Sequence, residues 1–109
     1  MKLPLNTDLN GKVAVVTGAG GVLCGMFAKV LAQVGAKVAL LDLNEEAAQK
    51  VADEITADGG AAKAYKCNVL DKESMEACHQ AVVNDLGLCD ILLNGAGGNN
   101  PRATTDKEY

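Results

Sequence analysis

The chain has no tryptophan, one phenylalanine and two tyrosines in 109 residues. A core carried by aromatic rings is thereby excluded. Val, Leu, Ile and Ala must fill the interior, a palette that suits parallel strands buried on both faces by helices. Positive charge is also short: ten Lys and Arg stand against 14 Asp and Glu, a net charge of −4. Nucleic-acid binding needs clustered cations, and no basic stripe runs along the chain, so that partner class is set aside. No apolar run approaches the roughly 18 residues that span a bilayer. The opening MKLPLNTDLNGK lacks the continuous apolar stretch of a secretory signal, and a cytoplasmic location is the expectation. Cys24, Cys67, Cys78 and Cys89 lie far apart with no CxxC pair, and there is a single histidine. A tetrahedral metal site is not expected from that spacing, and the thiols read as small buried apolar groups. The length allows one domain.

What is present is an alternation. Lys12 to Thr17 (KVAVVT) is a β-branched run ending in glycines and predicts a buried strand. Met26, Phe27, Val30, Leu31 and Val34 then recur at helical spacing, with Gly35 as the stop. Lys37 to Leu41 (KVALL) predicts a second strand, ending at Asp42. Asn44 is placed to cap a helix whose inner stripe is Ala47, Ala48, Val51, Ala52 and Ile55, closed by Gly59 and Gly60. Ala61 to Cys67 is a more polar strand that fits a sheet edge. Asp71 caps a third helix, with Met75, Cys78, Ala81, Val82 and Leu86 inward and Gly87 as its stop. Cys89 to Leu93 is a fourth strand, followed by the loop NGAGGNNPRATTDKEY. Such alternation predicts an α/β fold with a parallel sheet joined by right-handed crossovers.

The first strand runs directly into Gly18-Ala19-Gly20-Gly21-Val22-Leu23, and a helix follows at once. Glycines let the backbone take positive φ and approach a ligand closely. The helix start then presents free N–H groups and a positive dipole end, the arrangement a diphosphate requires. Gly18, Gly20, Gly21, Val22 and Leu23 are therefore candidate cofactor-binding residues. Asp42 closes the second strand about 20 residues beyond that turn, where a carboxylate accepts from both adenosine ribose hydroxyls and repels a 2′-phosphate. With no Lys or Arg directly after Asp42, NAD(H) is favoured over NADP(H).

These stretches resemble the short-chain dehydrogenase/reductase family. Its TGxxxGxG turn is matched by TGAGGVLCG, its acidic third-strand end by CNV, and its NNAG strand end by LLNGAGG. Three motifs in order on three strand ends are far more specific than any one, and the likeness runs through essentially the whole chain. It implies a Rossmann-type three-layer half-domain: four parallel strands in order 3-2-1-4 with three helices, two on one sheet face and the third on the other. It also implies cofactor contacts from Asn68 and the Val69 backbone to adenine, and from Asn94, Ala96 and Gly97 beside the ribose. The chain departs from the pattern at four positions. Val22 and Cys24 stand where the family has glycine, Asn68 where it has Asp, and Gly95 where it has a second Asn.

Within the family, NGAGGNNPRATTD resembles the loop of D-mannonate oxidoreductases, which implies a sugar-acid substrate of the D-fructuronate/D-mannonate type. Arg102 in that loop has the planar fork to meet a carboxylate. Family members are longer and carry a catalytic Ser, a Tyr-x-x-x-Lys pair and a supporting Asn beyond the fourth strand. None of these is found here: Tyr65 belongs to the third strand, Tyr109 is terminal, and His79 sits mid-helix. Residues 1–109 are therefore expected to be the N-terminal dinucleotide-binding portion of a single domain. No catalytic residue is assigned, the 109-residue chain alone is expected to be inactive, and the parent enzyme is expected to be a homo-oligomer. A nucleotide-binding module without catalysis is the alternative.

Overall fold

The computed structural model describes residues 9–95. Its elements are β1 (Val13–Thr17), α1 (Val22–Gln33), β2 (Lys37–Asp42), α2 (Glu45–Ala57), β3 (Ala61–Lys66), α3 (Lys72–Asp85) and β4 (Ile91–Asn94). The strands form one parallel sheet in the order β3-β2-β1-β4, as the sequence pattern predicts. All five residues of VAVVT are buried, which is why β1 lies inside the sheet. The more polar β3, with Lys63 and Lys66 exposed, takes an edge.

Alternation along the strands feeds two separate cores. Ala14, Val16, Val38 and Leu40 point to the face covered by α1 and α2, where Ala28, Ala48, Val51, Ala52 and Ile55 meet them. Val13, Val15, Ala39, Leu41 and Tyr65 point to the other face, covered by α3 through Cys78 and Val82. The predicted caps are in place: the Ala47 N–H donates to Asn44 and the Glu73 N–H to Asp71. Gly35, Gly59 and Gly87, the predicted helix stops, all have positive φ.

The inward stripe of α1 differs from the expectation. Gly25 and Ala28 are its buried residues, whereas Met26 and Phe27 are 50% and 40% exposed. The helix lies so close to α2 that a Cβ on Gly25 would be 3.3 Å from Val51. Close approach selects the smallest side chains for the contact, and the larger ones turn outward. Val30, Leu31 and Val34 are half-buried.

Strand ends shift by a residue or two. β4 begins at Ile91 rather than Cys89, because Asp90 uses its backbone N–H and its carboxylate to pair with Val13. β3 ends at Lys66, although the Cys67 N–H still reaches the Asp42 carbonyl at 3.0 Å. Cys67 and Cys78 are buried thiols, while Cys24 and Cys89 are half-buried. Among the described residues no helix is long and apolar enough to cross a membrane.

Candidate functional site

Parallel pairing brings Thr17, Asp42 and Asn94 to the same edge of the sheet, Thr17 lying beside Leu41 on one side and Asn94 on the other. The loops leaving these strand ends enclose a cleft of about 400 Å³. Gly18 and Gly21 line it from the β1–α1 turn, Asp42 and Leu43 from β2, residues 67–70 from the segment after β3, and Gly95 from the end of β4.

The β1–α1 turn is held by the backbone and by one carboxylate. Gly18 has φ +67°, a conformation glycine adopts without strain, and its carbonyl accepts the Gly21 N–H at 3.0 Å. The Ala19 N–H reaches the Leu41 carbonyl, and the Gly20 N–H donates to Asp42 Oδ2 at 2.7 Å. A Cβ on Gly20 would lie 2.6 Å from the Ala47 Cβ, so glycine is required there for packing against α2.

Helix α1 starts differently from the other two. Its N-cap, Gly21, offers no side-chain acceptor, and the first turn carries no acidic residue. By contrast α2 and α3 are capped by Asn44 and Asp71 and have glutamates in the first turn. The first-turn amides of α1 are thus left to whatever enters the cleft, at the positive end of a 12-residue helix dipole. Val22 and Leu23, the first two residues of the helix, do not line the cleft, and their side chains are 88% and 62% exposed.

Asp42 faces this helix start. Its Oδ1 accepts the Asn44 N–H at 2.8 Å and its Oδ2 the Gly20 N–H. A carboxylate has about four lone-pair sites, so two remain for hydroxyl donors. Its charge also acts on Cys24, whose thiol is pushed up first by burial and then by Asp42.

Asn68 closes the opposite flank, with Val69 beside it. Its Oδ1 accepts the Leu70 N–H at 3.0 Å, and its backbone N–H donates to Ser74 Oγ. One lone pair of that oxygen is therefore committed to the turn entering α3. Asn94 accepts the Thr17 hydroxyl at 2.7 Å, and the Gly95 N–H donates back to Thr17 Oγ1 and to its carbonyl. Thr17 is 1% exposed, so this clasp between β1 and β4 lies beneath the cleft.

Of the candidate residues, Gly18, Gly21, Asp42, Asn68 and Val69 line the cleft together. Gly20 sits behind Asp42, and Asn94 serves the clasp. Ala96 and Gly97, like Arg102 and Tyr109, lie outside the described residues. Sequence reasoning missed Leu43, Cys67, Leu70 and Gly95 as lining residues. Leu43 and Leu70 carried a usable signal: each is an apolar residue just past a strand end, and they are 62% and 92% exposed.

A parallel sheet whose carboxyl edge holds a glycine turn, an uncapped helix start and an acidic strand end is a nucleotide-binding α/β fold. The profile of the short chain dehydrogenase family matches residues 12–108, and the chain belongs to that family. An uncharacterized oxidoreductase of Haemophilus influenzae is 56% identical over 109 residues, all of this chain and 38% of that protein. The 7alpha-hydroxysteroid dehydrogenase of Escherichia coli (strain K12) is 39% identical over 97 residues, 89% of this chain and 38% of that protein. Among solved structures, a candidate D-mannonate oxidoreductase from Haemophilus influenzae with bound NAD superposes with a TM-score of 0.84 at 58% identity. It is matched over 95% of this chain and 37% of that one. The chain thus spans well under half the length of the relatives it matches.

Proposed function

We propose that the cleft holds NAD(H), and that this chain is the N-terminal cofactor-binding part of an NAD(H)-dependent short-chain oxidoreductase. The observation that carries this is the pairing of an uncapped helix start with the Asp42 carboxylate at the same strand–helix junction. The residues fit the group. The first-turn amides of Val22 and Leu23 would meet the diphosphate beside the Gly21 backbone, and the free lone pairs of Asp42 the adenosine ribose hydroxyls. Adenine would lie between Leu43 and the Asn68–Leu70 segment, against Val69. Ala96 and Gly97 are assigned to the same cofactor by family pattern. Bound there, the nicotinamide supplies or accepts the hydride of a carbonyl–alcohol interconversion.

Cofactor choice follows from charge. Asp42 would repel a 2′-phosphate, and the next residues, Leu43 and Asn44, offer no cation to offset it. The relative of known structure from Haemophilus influenzae contains NAD, which supports the same choice. The substrate class proposed is a keto sugar acid or the corresponding hexonate, on the strength of the 94–106 segment. The sequence contains no Tyr-x-x-x-Lys, and turnover is assigned to a longer, homo-oligomeric cytoplasmic protein rather than to these residues alone.

Titration of NADH fluorescence tests the cofactor, in a chain with no tryptophan to interfere. NADH should bind at least about tenfold more tightly than NADPH, a gap of about 1.4 kcal/mol. Equal affinities would remove the role of Asp42, and no binding of either at millimolar concentration would overturn the cofactor assignment. In the longer protein, NADH oxidation should be faster with fructuronate than with simple ketones; equal rates would undo the substrate class.

A further inference from the structure

Two departures from the family pattern meet in space. Cys24 is in the first turn of α1 and Gly95 follows β4, yet a Cβ built on Gly95 would overlap the Cys24 Sγ. The same Cβ would be 3.6 Å from the Cys24 Cβ, an ordinary contact, and 3.1 Å from the Thr17 carbonyl oxygen. The φ of Gly95 is outside the left-handed region, so its backbone conformation is open to any residue. Glycine is needed at 95 because the Cys24 sulfur already fills the space. The family pattern has the converse arrangement, glycine at the helix position and a side chain at the loop position.

We propose that Cys24 and Gly95 form a reciprocal steric pair, and that Cys24 is through it a positioning residue for the bound dinucleotide. Its sulfur sets how closely the 94–95 turn approaches α1, and Gly95 lines the cleft. The turn is already pinned from below by the two hydrogen bonds from the Gly95 N–H to Thr17. A side chain at 95 must then lift the turn or displace the sulfur. Strand order says which part of the ligand would feel this. Asp42 and Asn68 stand on the β2 and β3 side of β1, and Gly95 stands on the β4 side. An adenosine monophosphate would use only the first side, whereas a dinucleotide crosses to the second. This inference rests on the NAD(H) assignment for the cleft.

The test is a double-substitution cycle on the 109-residue chain: Gly95→Ala, Cys24→Ala, and the two together. NADH and AMP dissociation constants and urea midpoints are read for each. Gly95→Ala should weaken NADH about tenfold and leave AMP within about twofold. Adding Cys24→Ala removes the sulfur and should return NADH to within about twofold of the wild type and recover most of the urea midpoint, the 3.1 Å approach to the Thr17 carbonyl being the part that remains. Equal weakening of NADH and AMP would reduce the pair to a packing role and overturn the positioning claim. A double variant no better than Gly95→Ala would overturn the steric pair itself. If Gly95→Ala does not fold, the double variant carries the test, being expected both to fold and to bind. Should the wild type bind neither nucleotide, the cofactor assignment and the positioning role fall together. The urea midpoints still judge the steric pair in that event.

Discussion

Asp42 accepts the Gly20 N–H at 2.7 Å, so its carboxylate joins the Ala19–Leu41 backbone hydrogen bond in tying the end of β2 to the glycine turn after β1. The other oxygen holds the Asn44 N–H and aligns the entry to α2. One residue therefore shapes the glycine turn, orients a helix and offers its remaining lone pairs to the cleft.

Asp42→Ala should act on both stability and ligand choice. Leaving the Gly20 N–H without its partner should cost about 1–3 kcal/mol of unfolding free energy. The preference for NADH over NADPH should disappear in the same variant. Urea unfolding and paired titrations read the two effects. A variant with unchanged stability would mean that the turn does not depend on this hydrogen bond.

Gly21→Asp should separate stability from binding. The N-cap has φ −73° and ψ 159°, the extended conformation in which an aspartate side chain accepts amides of the first turn. Filling those amides should stabilise the chain by about 0.5–1 kcal/mol. The same carboxylate would occupy and repel the diphosphate site, and NADH binding should fall by at least about tenfold. Retained NADH affinity would place the phosphates elsewhere.

Alkali should destabilise the fold over a defined window. Burial, then the neighbouring Cys78 thiol, pushes the Cys67 thiol from 9.0 up to about 12. The folded state keeps a proton that the unfolded chain gives up, so this contribution is whole below pH 9.0 and is lost on rising toward 12. Tyr65 is raised as well, first by burial and then by its hydrogen bond to Asp85, and adds to the same loss. Urea midpoints should fall through this range, and Cys67→Ala with Tyr65→Phe should flatten the decline. An equally steep decline in the double variant would assign it to other groups.

Self-association should follow from the outer face of α1. Val22, Leu23, Met26 and Phe27 are apolar and between 40% and 88% exposed, and among the described residues β4 is hydrogen-bonded on one side only. Sedimentation coefficients of the 109-residue chain should rise with concentration, and Met26→Lys with Phe27→Lys should reduce that rise. A compact species that persists unchanged on dilution would count against this.

The strand–helix alternation, sheet order, caps and helix stops were legible in the sequence because each rests on local chemistry or on a topological rule. Asn44 and Asp71 precede their helices in plain view, and Gly35, Gly59 and Gly87 mark the ends. The inward face of α1 was not legible. Hydropathy selects Met26 and Phe27, but the distance between α1 and α2 decides the contact, and that distance favours Gly25 and Ala28. Glycine spacing likewise marked the β1–α1 turn but did not distinguish Gly20, which packs on Ala47, from Gly21, which opens onto the cleft. The role of Gly95 depends on a sulfur far away in the chain and has no local signature.

The Thr17–Asn94 clasp joins residues 77 positions apart. During synthesis β1 leaves the ribosome long before its partner exists, and it must wait beside β2 with one flank open. Among the described walls of the cleft, the one formed by Gly95 is added last. Tight capture of a dinucleotide would thus report that translation has passed β4 and that this strand has docked on β1.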